Sequence, residues 1–283
     1  ARRSVEAKGA ELMVDGWMEP VALQNCRGVT LNGLSIDYKR PPNSSGTILA
    51  VGDGMVDVKF ADWCPVDAKT PFLRMMAFDE ETKRFLGGTF TPAGVEVVAP
   101  QTLRFRMRAD QCRPGLSLVA THGFHFRPAI LLYLAQDTTL NDVSIHAQPG
   151  MGVVGHMAEN TVMNRLRVVP KPGRHMPCNT AATHFVSCRG LLRFDGCEFA
   201  GQGDDATNVH IFYTDILARG ADSTCTMEIG RRFETHSVKR DFPRVGDRLA
   251  IVERKTLREV GEIEVESVVL SDRDFSCQIR YRG

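Results

Sequence analysis

The feature that most constrains the fold is a short strand pattern that recurs four times. Each copy alternates apolar and polar residues, passes an Asn, Asp or Gly, and resumes the alternation. The second and third copies lie 23 residues apart, counted from Leu140 to Met163, and the next follows after 31. Periods of this length are typical of solenoids. The copies are "NCRGVTLNGLSID" (25–37), "AQDTTLNDVSIHA" (135–147), "MAENTVMNRLRVV" (157–169) and "SCRGLLRFDGCEFA" (187–200).

A repeat built of strand, turn and strand predicts an all-β protein, a right-handed parallel β-helix in which the apolar residues of each coil stack on those of the coil before. We assign residues 1–39 to β-helix coils and 116–213 to further coils that carry a catalytic groove. The alternative is that the copies are similar by chance, as strands of a β-sandwich.

Two stretches interrupt the repeat. Residues 40–115 and 214–283 alternate with period two around polar turns such as "GDG" and "DEETKR", as antiparallel strands do. We predict that each forms a small inserted antiparallel β-barrel. Because the repeat has no caps at either side, we expect the sequence to be a segment of a longer protein.

Charge and composition exclude several classes of partner. The chain has 35 Lys and Arg against 34 Asp and Glu, so no global field attracts nucleic acid or an anionic membrane. Its longest apolar stretch, near "RPAILLYLAQD", is about half of the ~20 residues that a membrane helix needs. The eight cysteines show no CxxC pair, and we predict no metal site. If the protein is secreted or periplasmic, its signal precedes residue 1.

The strongest candidate for chemistry is the adjacent pair Asp204 and Asp205. Gly201 and Gly203 precede the pair, and they allow a turn that brings both carboxylates to one ligand. Crowded carboxylates raise one another's pKa, so one can stay protonated while the other is charged. A glycosidase needs this division between an acid and a base. The alternative is a solvated Asp-Asp turn.

The preceding coil supplies the rest of the predicted groove. Ala181 lies 23 residues before Asp204, and residues one coil apart are neighbours in a stacked solenoid. We therefore expect polar side chains from both coils to border the carboxylate pair and bind a sugar. The expected ligand-binding residues are Thr183 and His184, with Thr180 beside them, and Asn208 and His210.

Four segments together resemble glycoside hydrolase family 110, the bacterial α-1,3-galactosidases that remove terminal galactose from blood-group B and linear α-1,3-galactosyl structures. They are "PGMGVVGHMAEN", "TAATHFVSCRG", "FAGQGDDATNVH" and "VGDRLAIVERKTL". The resemblance implies a β-helix with inserted barrels, an inverting exo-acting mechanism, a carbohydrate substrate and no organic cofactor. It also implies Asp204 as the general acid and Asp205 as a candidate base.

The chain departs from that family at Ala181. The family has "DATHF" where this chain has "AATHF", and the missing Asp is another candidate for activating water. Without it, Asp205 acts alone or water activation is lost, at a cost on the order of 10²- to 10⁴-fold. The substitution is engineered, belongs to a natural paralogue with altered chemistry, or marks a sugar-binding relic.

Two other functions stay open. A polygalacturonase-like hydrolase of glycoside hydrolase family 28 has similar "NTD" and "DD" motifs one coil apart, faintly matched here by 179–181 and the Asp pair. The Arg-x-Lys motif expected for a uronic acid is absent from the sequence. The other is a catalytically impaired galactoside-binding variant, suggested by Ala181.

Overall fold

The computed structural model describes residues 3–108, 110–229, 241–271 and 273–283. These residues form β-strands joined by turns and loops, without a helix, so the predicted all-β class is confirmed. In the described part of the chain, no helix has the length and apolar character needed to cross a membrane. The chain divides into two compact units, 1–210 and 211–283.

Over its described residues, 3–108 and 110–210, the first unit contains 21 strands. In chain order they are β1 (Arg3–Glu6), β2 (Glu11–Val14), β3 (Val21–Gln24), β4 (Val29–Asn32), β5 (Ser35–Tyr38), β6 (Asn43–Gly52), β7 (Met55–Phe60), β8 (Arg74–Phe78), β9 (Gly94–Ala99), β10 (Thr102–Arg106), β11 (Ser117–Thr121), β12 (Ile130–Tyr133), β13 (Gln136–Asn141), β14 (Ser144–Ile145), β15 (Val153–His156), β16 (Glu159–Asn164), β17 (Arg167–Val168), β18 (Thr183–Val186), β19 (Arg189–Asp195), β20 (Glu198–Phe199) and β21 (Thr207–His210).

Fifteen of these strands form three parallel sheets of five. Their orders are β1-β4-β13-β16-β19 in the first sheet, β2-β5-β14-β17-β20 in the second and β3-β12-β15-β18-β21 in the third. The chain visits the three sheets in turn, and each strand pairs with its equivalent one circuit later. This arrangement fits a parallel β-helix of five coils.

The apolar residues of the repeat stack as the sequence predicts. Leu31 pairs with Leu140, which pairs with Met163, which pairs with Phe194. The first three are buried in one core cluster, which also includes Ile36, and Phe194 packs against that cluster. Burial of each such side chain stabilises the fold by about 1.5–3 kcal/mol before entropy is counted.

A β-bulge changes the length of the last coil. Glu159 of β16 pairs with Arg189, but Thr161 pairs with Leu192, so β19 has one extra residue. Gly190 lies in this bulge with φ +64°, and a Cβ there would approach the Asn160 side chain to 2.3 Å. The bulge sets the spacing from β18 to β21 at 24 residues, one more than the sequence comparison predicted.

The segment between β5 and β12 forms a separate antiparallel sheet of order β8-β11-β6-β7-β10-β9. Its core cluster includes Val56, Val58, Leu103, Phe105 and Leu118. The predicted antiparallel pairing is confirmed. In this sheet, β8 and β9 are the two edge strands. The domain limits and closure into a barrel stay predictions.

The second unit contains β22 (Ile216–Arg219), β23 (Thr224–Glu228), β24 (Arg248–Val252), β25 (Glu259–Leu270) and β26 (Ser276–Arg282). They form an antiparallel sheet of order β22-β23-β26-β25-β24. Its small core includes Met227, Ile263, Val265 and Ile279. The antiparallel strands expected for this region are confirmed over its described residues.

Candidate active site

The predicted site residues lie in and just before two neighbouring strands of the third parallel sheet. Ala181 precedes β18, and the Asp pair precedes β21. The Ala182 N–H donates to the Asp205 carbonyl at 2.9 Å, and the Gly203 N–H donates to the Cys178 carbonyl at 3.0 Å. The prediction that the threonine-histidine segment lies beside the twin aspartates is confirmed.

The register between β18 and β21 corrects one predicted pairing between the two coils. Thr183 pairs with Thr207, which lies 24 residues further along the chain. The same register aligns Ala181 with Asp205, not with Asp204 as a 23-residue coil predicts. The cause is the extra residue of the β19 bulge.

Asp204 lies close to two basic side chains. Its side chain is exposed, and its charge acts on Arg74 from β8 and on His125 from the loop before β12. Burial lowers the pKa of Arg74, and the Asp204 carboxylate opposes that shift. Burial also lowers the pKa of His125, which Asp204 again opposes. The inserted sheet thus supplies a cation to the carboxylate.

Asp205 has a different neighbour. The Asn208 side-chain amide donates to its Oδ2 at 3.3 Å. One carboxylate therefore lies near a guanidinium and an imidazole, and the other near a neutral amide. The two neighbouring carboxyl groups therefore have distinct electrostatic surroundings.

His184 and His210 form a contact pair. Their Nε2 atoms are 2.9 Å apart and their rings meet edge to face, with centroids separated by 4.8 Å. A hydrogen bond at this distance requires one nitrogen to donate and the other to accept, so at least one ring is neutral. The two predicted residues are brought together, His184 on β18 and His210 on β21, the strand that the Asp pair precedes.

Thr183 lies on the opposite face of its strand from His184. It is fully buried, its hydroxyl donates to Thr207 Oγ1 at 2.8 Å, and Phe185 of the core shares its face. Thr180 is also fully buried. These positions give the two threonines no surface for a ligand, in contrast to the expectation that they border the substrate.

Ala181 lies in apolar surroundings. It is buried in a cluster with Leu131, Met151 and Val154, against which Tyr133 packs. The position where the resemblance leads us to expect a carboxylate is therefore lined by aliphatic side chains. Asp205, aligned with it in the next coil, is the acidic residue in register with this position.

Asn179 connects the site to the inserted sheet, and sequence reasoning assigned it no role. Its fully buried amide donates to the carbonyls of Pro42 at 3.2 Å and Gly123 at 2.8 Å, and its Oδ1 accepts from Asn43 at 3.1 Å. Its own carbonyl accepts from Arg74. Asn179 therefore fixes the backbone that leads into Ala181.

Arg74 is the second residue that sequence reasoning missed. Its guanidinium lies 4.6 Å from the centroid of the Phe124 ring as well as bonding the Asn179 carbonyl. No local signal marks it, because it lies about a hundred residues from the motifs it contacts. Within the described ranges, no three His, Cys, Asp or Glu side chains are grouped to hold a metal ion.

Comparison with known proteins gives one consistent result. The chain is 27% identical over 293 residues to an "Alpha-1,3-galactosidase A" of Bacteroides fragilis, covering 95% of this chain and 47% of the relative. It is 27% identical over 278 residues to an "Alpha-1,3-galactosidase B" of Parabacteroides distasonis, covering 90% and 45%. The chain resembles the α-1,3-galactosidases. The resemblance drawn from its motifs is confirmed.

A third relative agrees with the first two. An "Alpha-1,3-galactosidase B" of Phocaeicola vulgatus is 28% identical over 293 residues, covering 96% of this chain and 48% of its own length. The chain thus spans about half the length of the curated relatives it matches. No family model matches it.

Proposed function

We propose that this chain carries the centre of an inverting exo-α-1,3-galactosidase, built on a right-handed parallel β-helix with two inserted β-barrels. The observation that carries the proposal is the Asp204–Asp205 pair lying beside the preceding coil, in a chain similar along most of its length to named α-1,3-galactosidases. The substrate is a glycan with a terminal α-1,3-linked galactose. We also propose a secreted or periplasmic location for the protein.

The proposed reaction assigns one step to each carboxyl group. Asp204 donates its proton to the glycosidic oxygen, the bond from that oxygen to C1 of galactose breaks, and the leaving sugar departs with a hydroxyl. Asp205 accepts a proton from a water whose oxygen attacks C1 from the opposite face. Galactose is released with inverted configuration. An inverting pair needs roughly 6.5–9.5 Å between the carboxyls to admit the water.

A second candidate function follows from Ala181. The side chains around Ala181 are apolar, so this position supplies no carboxylate to activate water. Of the proposed pair, Asp205 is the carboxylate that the strand register aligns with Ala181. If Asp205 is too distant from C1, the chain binds galactosides and hydrolyses them slowly. Asn208 and the His184–His210 pair would then serve sugar recognition alone.

The test is to incubate the chain with α-1,3-galactobiose and follow the product anomer by NMR. The proposal expects β-galactose as first product, and turnover reduced on the order of 10²- to 10⁴-fold in Asp204→Asn and Asp205→Asn. If the unmodified chain binds galactobiose without hydrolysing it, and Ala181→Asp gains turnover, the chain is the catalytically impaired galactoside-binding variant. If galacturonate competes for the site better than galactose does, both candidate functions are refuted and a polygalacturonase-like site is favoured.

A further inference from the structure

An exposed aromatic patch lies next to the basic residues that face Asp204. Trp17, Phe124 and Phe126 are 39%, 44% and 37% exposed. Trp17 and Phe126 meet edge to face with ring centroids 5.7 Å apart. Exposed aromatic side chains clustered in this way commonly mark a binding surface.

Three contacts connect this patch to the proposed catalytic centre. Arg74, which interacts with Asp204, lies over the Phe124 ring. The His125 ring, which also interacts with Asp204, lies 4.1 Å from Phe124 between centroids. Gly123 precedes them, and its carbonyl accepts from Asn179.

Trp17 and Phe126 are held in the same region by backbone contacts. A Cβ on Gly123 would meet the Trp17 ring at 2.6 Å, so the ring lies against the backbone of this loop. Phe126 pairs with Gly150 of the next coil in an isolated parallel bridge. The patch is thus anchored to the coils and the loop that bears His125.

The chemistry of the proposed function decides which sugar this patch faces. In an inverting reaction the acid and the base act on opposite sides of C1, and the leaving sugar departs on the side of the acid. The residues around Asp204, away from Asp205 and Asn208, therefore flank the leaving group. We assign Arg74 and His125, whose charges interact with that of Asp204, to this side, together with the aromatic patch beside them.

We propose that Trp17, Phe124 and Phe126 form a platform that binds the leaving-group pyranose of an α-galactoside. The C–H groups of a pyranose ring form an apolar face that packs on aromatic rings. Arg74 and His125, at the edge of the platform, supply donors for its hydroxyl groups. This inference rests on the proposed function, because it takes Asp204 as the acid.

The test compares binding of galactose with binding of α-1,3-galactobiose by NMR titration in the Asp205→Asn background. We expect Trp17→Ala and Phe126→Ala each to weaken galactobiose binding about 3- to 10-fold and to leave galactose binding within about 2-fold. Phe126→Tyr, which keeps a ring, should restore affinity. Phe85→Ala is the matched control, since Phe85 is 45% exposed and contacts Phe78, at the opposite end of β8 from Arg74.

Equal losses for both sugars, or no loss in either variant, would overturn the platform while leaving the proposed function in place. A parent chain that binds neither sugar overturns the proposed function and the platform with it. Thermal unfolding of each variant identifies loss of fold. If Trp17→Ala unfolds, Trp17→Leu and Phe126→Leu provide the same comparison, since both remove the aromatic ring and keep an apolar side chain.

Discussion

Gly203 is the position where the smallest change should disturb the site most. A Cβ built on it would lie 2.3 Å from the Asn179 carbonyl oxygen, 2.5 Å from Arg74 Nη2 and 2.8 Å from the Asn179 carbonyl carbon. Two of these three atoms are backbone. The Asn179 backbone cannot easily retreat, because its side chain and carbonyl hold four hydrogen bonds to the inserted sheet and its flanks.

We therefore expect Gly203→Ala to move the turn that carries Asp204. The overlap is relieved by shifting the turn or breaking the Arg74 contact. Either change should lower the free energy of unfolding by about 1–3 kcal/mol. A displacement approaching 1 Å at Asp204 should lower turnover on the order of 10²-fold. Gly52→Ala is the control, since a Cβ there meets nothing within 4 Å.

Urea unfolding and galactobiose hydrolysis measure the two effects separately. The control should stay within about 0.5 kcal/mol of the parent chain. If Gly203→Ala matches Gly52→Ala in stability and in turnover, the close approach of the two coils at this turn is wrong, and Asp204 is not held by Asn179 and Arg74.

Three further changes test separate parts of the molecule. Asn179→Ala should lower the unfolding free energy by about 2–5 kcal/mol, because buried partners lose their bonds; a loss below 1 kcal/mol by urea unfolding contradicts this. Burial lowers the pKa of His122 from 6.5 to about 4, so the folded state keeps it neutral and stability falls as pH drops from 6.5 towards 4, by about 3 kcal/mol over that window; unfolding measured at pH 7 and 4.5 should show a smaller fall in His122→Gln. Ala181→Asp should cost about 1–3 kcal/mol at pH 7, because its carboxylate enters an aliphatic cluster; unchanged thermal stability would show that the site is open to water.

The stacking of the coils was predictable from the sequence because it depends on local periodicity. Leu31, Leu140, Met163 and Phe194 occupy the same place in each repeat, and side chains of one type at one place in successive coils form a ladder. The one-residue bulge at Gly190 was not predictable in this way. Adding a residue to a strand leaves the composition of the pattern almost unchanged but shifts every later pairing by one.

The contribution of the inserted sheet could not be predicted. Asn179 lies inside a motif that the sequence singles out, but its partners Pro42, Asn43 and Gly123 are far from it along the chain. Arg74 is one of many arginines in alternating strands, and nothing in its neighbours distinguishes it. Contacts between segments this distant depend on how the insertion folds back on the coils.

The path of the chain explains why these distant residues meet. The insertion leaves the coil between β5 and β12, that is, between a strand of the second parallel sheet and one of the third. The segments 169–182 and 200–206 leave later coils at the same corner, between β17 and β18 and between β20 and β21. Because equivalent corners stack, whatever is inserted at one lies next to the loops of the others. A solenoid of this kind can therefore gather Arg74, Asn179 and Asp204 into one site while its sheets remain regular.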